Sequence, residues 1–364
     1  MNWVLIVLGF SALVILHEAG HFFAAKATGM RVERFFLFFP PKLVSIKRGE
    51  TEYGIGAIPA GGFVKITGMN PDEELPPEIA ARGYYHQPVW KRIVVIGAGP
   101  AVNITIALII FFVLFSVYGA TRAKQTVGSV VPKSPAAGHL QPGDEIVAFE
   151  GHRYSGLDTE QRLEHFIEDV SSHHCSGKQV DGCRAATPIA VTVRRDGKTH
   201  TVMLKPEYDS EVERARIGIA YGEETVRYGA VGAAGKALSA TWLVTKGTVS
   251  VFARLFEEKQ RKQLSGVVGV SDVANEKLDT STKETLLLVA IVSLSLGLIN
   301  LFPFLPLDGG HIFWSLVEKV RGRPVPYQVM ERAGVIGFVL VIALFFIGLS
   351  NDIGRISGGG FGGR

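Results

Sequence analysis

Charge is almost missing from the beginning of this chain: between Trp3 and Ala25 the only charged residue is Glu18, and no Lys or Arg comes before it. Without a basic leading segment, and with an apolar run that continues into the HEAGH, the stretch is not expected to be a secretory leader. It is expected to be a retained membrane helix. Cysteine is equally scarce. Two residues, Cys175 and Cys183 in HHCSGKQVDGC, cannot build a disulfide framework, although they could close one small loop in an oxidising compartment. Unpaired surface thiols are the other simple reading, and the adjacent His173 and His174 would also allow a small second metal site. A surplus of basic charge is missing too. The net charge of +4 over 364 residues leaves no basic stripe and excludes a nucleic-acid partner.

What is abundant is apolar. Hydrophobic residues make up 47% of the chain, with 22 Phe, and the mean hydropathy is +0.24. These values fit a membrane protein that also carries a soluble portion. Four stretches are long enough to span a bilayer: Asn2–Ala25, Ile93–Val117, Leu286–Leu307 and Ala333–Ser350. The second contains Gly97, Gly99, Pro100 and Asn103, whose small side chains allow close helix contact and whose amide could bond to a neighbour. The third ends in Asn300, Pro303 and Pro306, so its last part cannot be regular helix. Lys26, Arg31 and Arg34 follow the first span, Lys91 and Arg92 abut the second, and Lys319, Arg321, Arg323 and Arg332 lie between the third and fourth. By the positive-inside rule these loops are cytoplasmic, both termini are outside, and the segment from Tyr118 to Glu284 is extracytoplasmic.

Within the first span, His17-Glu18-Ala19-Gly20-His21 forms an H-E-x-x-H pattern. On a helix the two His share a face and can grip one Zn²⁺, with Glu18 beside them to accept a proton from water. Two His and one Glu inside a membrane helix are costly to bury and point to function rather than packing. A catalytic zinc site needs a third protein ligand. Asp308, in NLFPFLPLDGG at 300–310, closes the third span; His311 competes with it. The first and third spans run in the same direction, so His17, His21 and Asp308 all fall toward the cytoplasmic half. A plain Asp-Gly turn would be the ordinary reading of Asp308 without the intramembrane histidines.

Between the first two spans, Lys42–Gly68 alternates in β fashion, with turn signals at Arg48-Gly49 and Ala60-Gly61-Gly62, and is expected to form a small sheet or re-entrant hairpin. Asn70–Pro77 is an acidic, Pro-rich loop. The extracytoplasmic part is expected to hold a strand at Thr126–Val131, a helix at Asp158–Val170, and strands Ile189–Arg194 and Thr199–Leu204 around an Asp196-Gly197 turn. Ala237–Phe256 carries Leu238, Trp242, Val249, Phe252 and Phe256 on one stripe, as in a helix lying on the membrane; a fifth span is the alternative. Ser357–Arg364 is a Gly-rich tail.

Taken together, HEAGH at 17–21, YGIGAIPAGGFVKITGM at 53–69, GPAVN at 99–103 and NLFPFLPLDGG at 300–310 resemble the site-2 protease family of intramembrane zinc metalloproteases, specifically the bacterial RseP-like subgroup. SPAAGHLQPGDEIVAFEG at 134–151 resembles the PDZ signature of that subgroup, here in a single copy. The resemblance implies a multi-pass α-helical membrane protein with an inserted extracytoplasmic PDZ-like β/α domain and a small membrane-associated β-element. Its expected parts are a membrane region at 1–118, a PDZ-like domain at 122–210, a linker with a membrane-surface helix at 211–284, a second membrane region at 285–352 and a tail at 353–364. The resemblance further implies Zn²⁺ held by His17, His21 and Asp308, Glu18 as general base, and substrate contacts from Asn300 and from Gly61, Gly62 and Phe63 in the β-element. The implied setting is the lipid bilayer of a bacterial inner membrane. The implied substrates are single-pass proteins, such as anti-sigma factors or remnant signal peptides, first trimmed outside by a site-1 protease. Two features depart from the pattern: Leu264–Gly269 stands where relatives have Gly-Pro, and 171–186 is an unmatched insertion. A catalytically silent PDZ scaffold and a metal transporter are the rival readings. The first conflicts with keeping both Glu18 and Asp308, and the second would require more than one intramembrane polar cluster.

Overall fold

The computed structural model describes residues 2–70, 73–254, 257, 269 and 281–357, without the side chains of 2, 3, 59, 60 and 355–357. The tail beyond Ser357 and most of the Leu264–Gly269 segment lie outside these residues. The chain divides into two compact units, Met1–Val117 with Gly229–Arg364, and Tyr118–Tyr228.

In the first unit, α1 (Asn2–Ala27) leads into the long strands β1 (Val32–Arg48) and β2 (Thr51–Ile66). A short α2 (Pro77–Ala80) precedes α3 (Val89–Val113), which continues through one π-helical turn to Tyr118. Among the described residues, four helices are long and apolar enough to cross a membrane: Val4–Ala27, Val89–Tyr118, Thr282–Asn300 and Tyr327–Gly354. The third stops at Asn300, not at Leu307 as the hydropathy alone implies. Pro303 and Pro306 supply no N–H for a helical ladder, and the chain turns there instead.

The β-element begins ten residues earlier than its alternation indicates, at Val32 rather than Lys42. Arg34–Leu37 is central: it pairs with Gly62–Lys65 on one side and with Glu52–Ile55 on the other, while Lys42–Arg48 pairs back onto Thr51–Gly56. Two bent strands therefore supply four paired segments. The turn expected at Ala60-Gly61-Gly62 is absent, since these residues belong to β2. Gly61, at φ 150°, permits the bend without breaking the strand. Phe22, Ala25, Met30, Val32, Ile66, Tyr84, Val95 and Ile96 form the buried core that joins α1, the β-element and α3.

The second unit is a five-stranded sheet in the order β6-β5-β4-β3-β9. Its strands are β3 (Ala120–Val130), β4 (Glu145–Phe149), β5 (Ile189–Arg195), β6 (Lys198–Leu204) and β9 (Ile219–Val226), with a small β7 (Glu207–Asp209) and β8 (Arg214–Arg216) ribbon before the last. Helix α4 (Thr159–Ser171) starts at Asp158 in a capping box with Gln161 and buries Leu163, Phe166 and Val170 at helical spacing against the sheet. Asp196 and Gly197 both take positive φ, as a type I′ hairpin turn requires. The sheet runs beyond residue 210, because β9 is the antiparallel partner of β3, with Ala120 opposite Val226. Cys175 and Cys183 are bonded as a disulfide that closes the inserted loop; the His173 ring meets Thr187 instead of a metal-ligand cluster.

Back in the first unit, α5 (Ala230–Ala253) starts seven residues before the expected stripe, and Ala233 and Ala237 are buried where it packs against α3 and α6 (Thr282–Asn300). Leu238, Trp242 and Val249 of the stripe face outward. Helices α7 (Asp308–Arg321) and α8 (Tyr327–Ser357) complete the unit.

Candidate metal centre

His17 and His21 stand one turn apart on α1, each 6% exposed. The Nε2 atoms of the two rings are 3.2 Å apart, and Asp308 Oδ2 lies 3.1 Å from the first and 3.3 Å from the second. Asp308 arrives from the far end of the chain as the first residue of α7, after the Pro-broken stretch 301–307. Among the described residues these three form the one group of metal-ligating side chains; His311, one turn further along α7, is not part of it.

The arrangement fits a tetrahedral zinc ion. Bonds of about 2.0–2.1 Å place neighbouring ligands roughly 3.3 Å apart, close to the separations found here. The tautomer of His21 also fits. Its Nδ1 lies 2.9 Å from the carbonyl of Val95, which only accepts, so that nitrogen carries the proton and Nε2 presents a lone pair to the centre. Nδ1 of His17 has no partner among the described residues. A cation between the two Nε2 atoms and the Asp308 oxygen would engage all three at once.

Close packing sets these positions. A β-carbon on Gly99 would lie 2.2 Å from Nε2 of His21, so α3 must present a glycine where the imidazole crosses it. Glu18 is half-buried and near enough to interact electrostatically with Asp308 and His21. Its side chain runs along β2: a β-carbon on Gly62 would be 3.1 Å from Glu18 Cγ, and the Val64 backbone approaches the carboxylate. Gly62–Ile66 pairs only with β1 among the described strands, leaving its second edge toward this carboxylate. Phe63 stacks on Phe36 and Phe39 at ring distances of 5.4 and 6.1 Å, which stiffens that edge.

Asn300 ends α6, and its amide donates to Leu296 O within its own helix at 3.1 Å. Among the described residues Asn103 makes no bond through its side chain; its backbone carbonyl instead accepts from Ser293 of α6 at 2.9 Å. One buried pair escaped sequence reasoning. Arg92, 1% exposed, forms two bonds to Glu318 of 2.9 and 2.5 Å. As sequence, Arg92 is one more cationic flank of a span, and nothing links it to a glutamate 226 positions away.

Comparison with known proteins agrees with this geometry. Residues 5–344 match peptidase family M50. A Brucella suis protein named as a zinc metalloprotease is 31% identical over 367 residues, covering 94% of this chain and 92% of its own. The zinc metalloprotease Rip1 of Mycobacterium tuberculosis is 32% identical over 401 residues, with 96% of both chains covered. A PDZ domain from Listeria monocytogenes aligns with 28% of this chain and 90% of its own at 20% identity, and its TM-score of 0.21 is too low to establish a shared fold. With the family match running across nearly the whole length and relatives of similar size, the chain belongs to peptidase family M50, the site-2 proteases, and is a zinc metalloendopeptidase of the membrane.

Proposed function

We propose that His17, His21 and Asp308 hold the zinc ion and that Glu18 is the general base for hydrolysis of a peptide bond within or beside a membrane-spanning segment. The observation that carries this reading is the convergence of three ligand atoms 3.1–3.3 Å apart next to Glu18, on a helix otherwise free of charge from Trp3 to Ala25. A bound zinc ion would supply Lewis acidity and lower the pKa of water. Glu18 accepts the proton of the attacking water and returns it to the leaving amine. A substrate helix hides its peptide bonds, so it must unwind first. The unpaired edge of Gly62–Ile66 offers it backbone partners as an added strand, with Gly61 and Phe63 flanking the entry and Asn300 facing the same substrate. The substrates are single-pass membrane proteins, of the anti-sigma-factor or remnant-signal-peptide kind, already shortened outside by a site-1 protease. Tyr118–Tyr228 acts as the PDZ-like domain that meets their outer portions.

Zinc content and cleavage, measured together in detergent, test the chemistry. The wild-type chain should hold about one zinc. His17→Ala and Asp308→Ala should lose both metal and turnover, whereas Glu18→Gln keeps the metal and loses turnover. Full zinc occupancy in Asp308→Ala would sink the ligand assignment. Orientation is tested separately, in a bacterial inner membrane with both termini and the 118–228 unit outside. Impermeant thiol reagents should reach Ser172→Cys, and labelling of Arg323→Cys in intact cells would overturn this topology.

A further inference from the structure

Asp308 is useful as a ligand only if α7 presents it at one rotation about the helix axis. Asp308, Ile312, Ser315 and Glu318 share a face of α7. Each is engaged on that face: Ile312 packs on the core that includes Val95 and Ile96, buried Ser315 bonds to Tyr84, and Glu318 takes both arms of Arg92. Arg92 is confined in turn, its guanidinium 5.9 Å from the ring centre of Tyr84 and 5.2 Å from that of Tyr85. It lies one turn before Val95, whose carbonyl orients His21, and two turns before Gly99, on which His21 rests. One face of α3 therefore registers both halves of the centre.

We propose that Arg92 and Glu318 are a positioning pair: the bidentate contact sets the rotation of α7 and thereby the placement of the Asp308 carboxylate against His17 and His21. The inference rests on the zinc-site reading. A buried ion pair contributes little net stability, since desolvation offsets much of the attraction, so stability alone does not account for it. The planar fork does supply direction, which a lysine ammonium cannot. The lever is sensitive. A turn of about 10° in α7 moves a side-chain atom some 6 Å off the axis by roughly 1 Å, while metal–ligand distances tolerate about 0.2 Å.

The test uses the full chain in detergent as wild type, Arg92→Lys, Glu318→Gln and the double variant Arg92→Met/Glu318→Met. The readouts are zinc release to a chelator, the absorption spectrum of the cobalt-substituted protein, the thermal unfolding midpoint, and kcat with KM. The single variants should release zinc on the order of tenfold faster, shift the cobalt bands, and lower kcat at unchanged KM. The double variant leaves no buried charge unpaired, so it should recover the midpoint yet keep the shifted bands. Wild-type release and wild-type bands in both single variants would overturn the proposal. So would a double variant that recovers midpoint and bands together, since the pair would then only neutralise charge. If the single variants do not fold, the bands of the double variant decide. A wild-type protein whose cobalt bands survive His17→Ala would instead defeat the site reading.

Discussion

At Gly99 a single hydrogen in place of a methyl group decides whether His21 can reach the centre. The missing β-carbon would stand 2.2 Å from Nε2 and 2.6 Å from Cε1 of that ring. Gly99→Ala should displace the imidazole, empty the zinc site and reduce cleavage on the order of 100-fold. Gly9→Ala on α1, where nothing lies within 4 Å of the added carbon, should leave both unchanged. Equal zinc content in the two variants would contradict this account. The contrast also shows what sequence discloses at this scale. His17 and His21 are legible because four residues make one helical turn, and Asp308 because an acid at the end of an apolar span is unusual. Arg92 and Glu318 are not: each has an ordinary local setting, and only tertiary approach gives them meaning.

Elements were legible where a local rule decides them. Asp158 with Gln161 announces α4, and Asp196-Gly197 announces the β5–β6 hairpin. They were obscured where a distant partner decides them. Ile219–Val226, with two consecutive glutamates, lacks a clean alternation and becomes a strand because β3 lies beside it. Gly61 and Gly62 look like a turn, yet both belong to β2, where Gly62 pairs with Leu37 of β1. The β5–β6 hairpin carries a further consequence. Arg195 grips buried Asp144 through two bonds of 2.7 Å, which, with a Gln141 N–H, hold that carboxyl below its usual range despite burial. Because the folded value lies below the unfolded one, the contact stabilises fully above about pH 4 and fades as pH falls through the depressed value. Hydrogen exchange, corrected for intrinsic rates, should show β4 and β5 losing protection in that acidic window. Arg195→Met should lose it already at neutral pH, because the Asp144 carboxylate is left without its charged partner. Undiminished protection in Arg195→Met at pH 7 would refute the role of the pair.

At the scale of the molecule, one chain combines a membrane-embedded hydrolytic centre with a separate sheet unit inserted between α3 and α5. Only Gly119 separates the end of α3 from β3, and three residues separate β9 from α5. Ties this short leave a folded body little reach, which favours a steric gate against bulky outer domains over a long-range capture device. Recruitment has its own support. A groove of about 190 Å³ beside the β9 edge, lined by Ile167 and Val170 of α4 with Ala215, Ile217, Ile219 and Tyr221, could accept an added strand. The pairing of Ala120 with Val226 makes the two readings separable, because neighbouring ends allow residues 120–226 to be replaced by a short Gly-Ser linker. If the unit gates, the full chain should reject an untrimmed substrate, and the excised protein should cleave it as well as a trimmed one, with kcat and KM for the trimmed form unchanged. If it recruits, KM for the trimmed substrate should rise while the untrimmed form stays refused. Continued discrimination against the untrimmed form after excision, measured side by side with the full chain in membranes, would rule out the gate, since whatever imposes it would then lie outside residues 120–226.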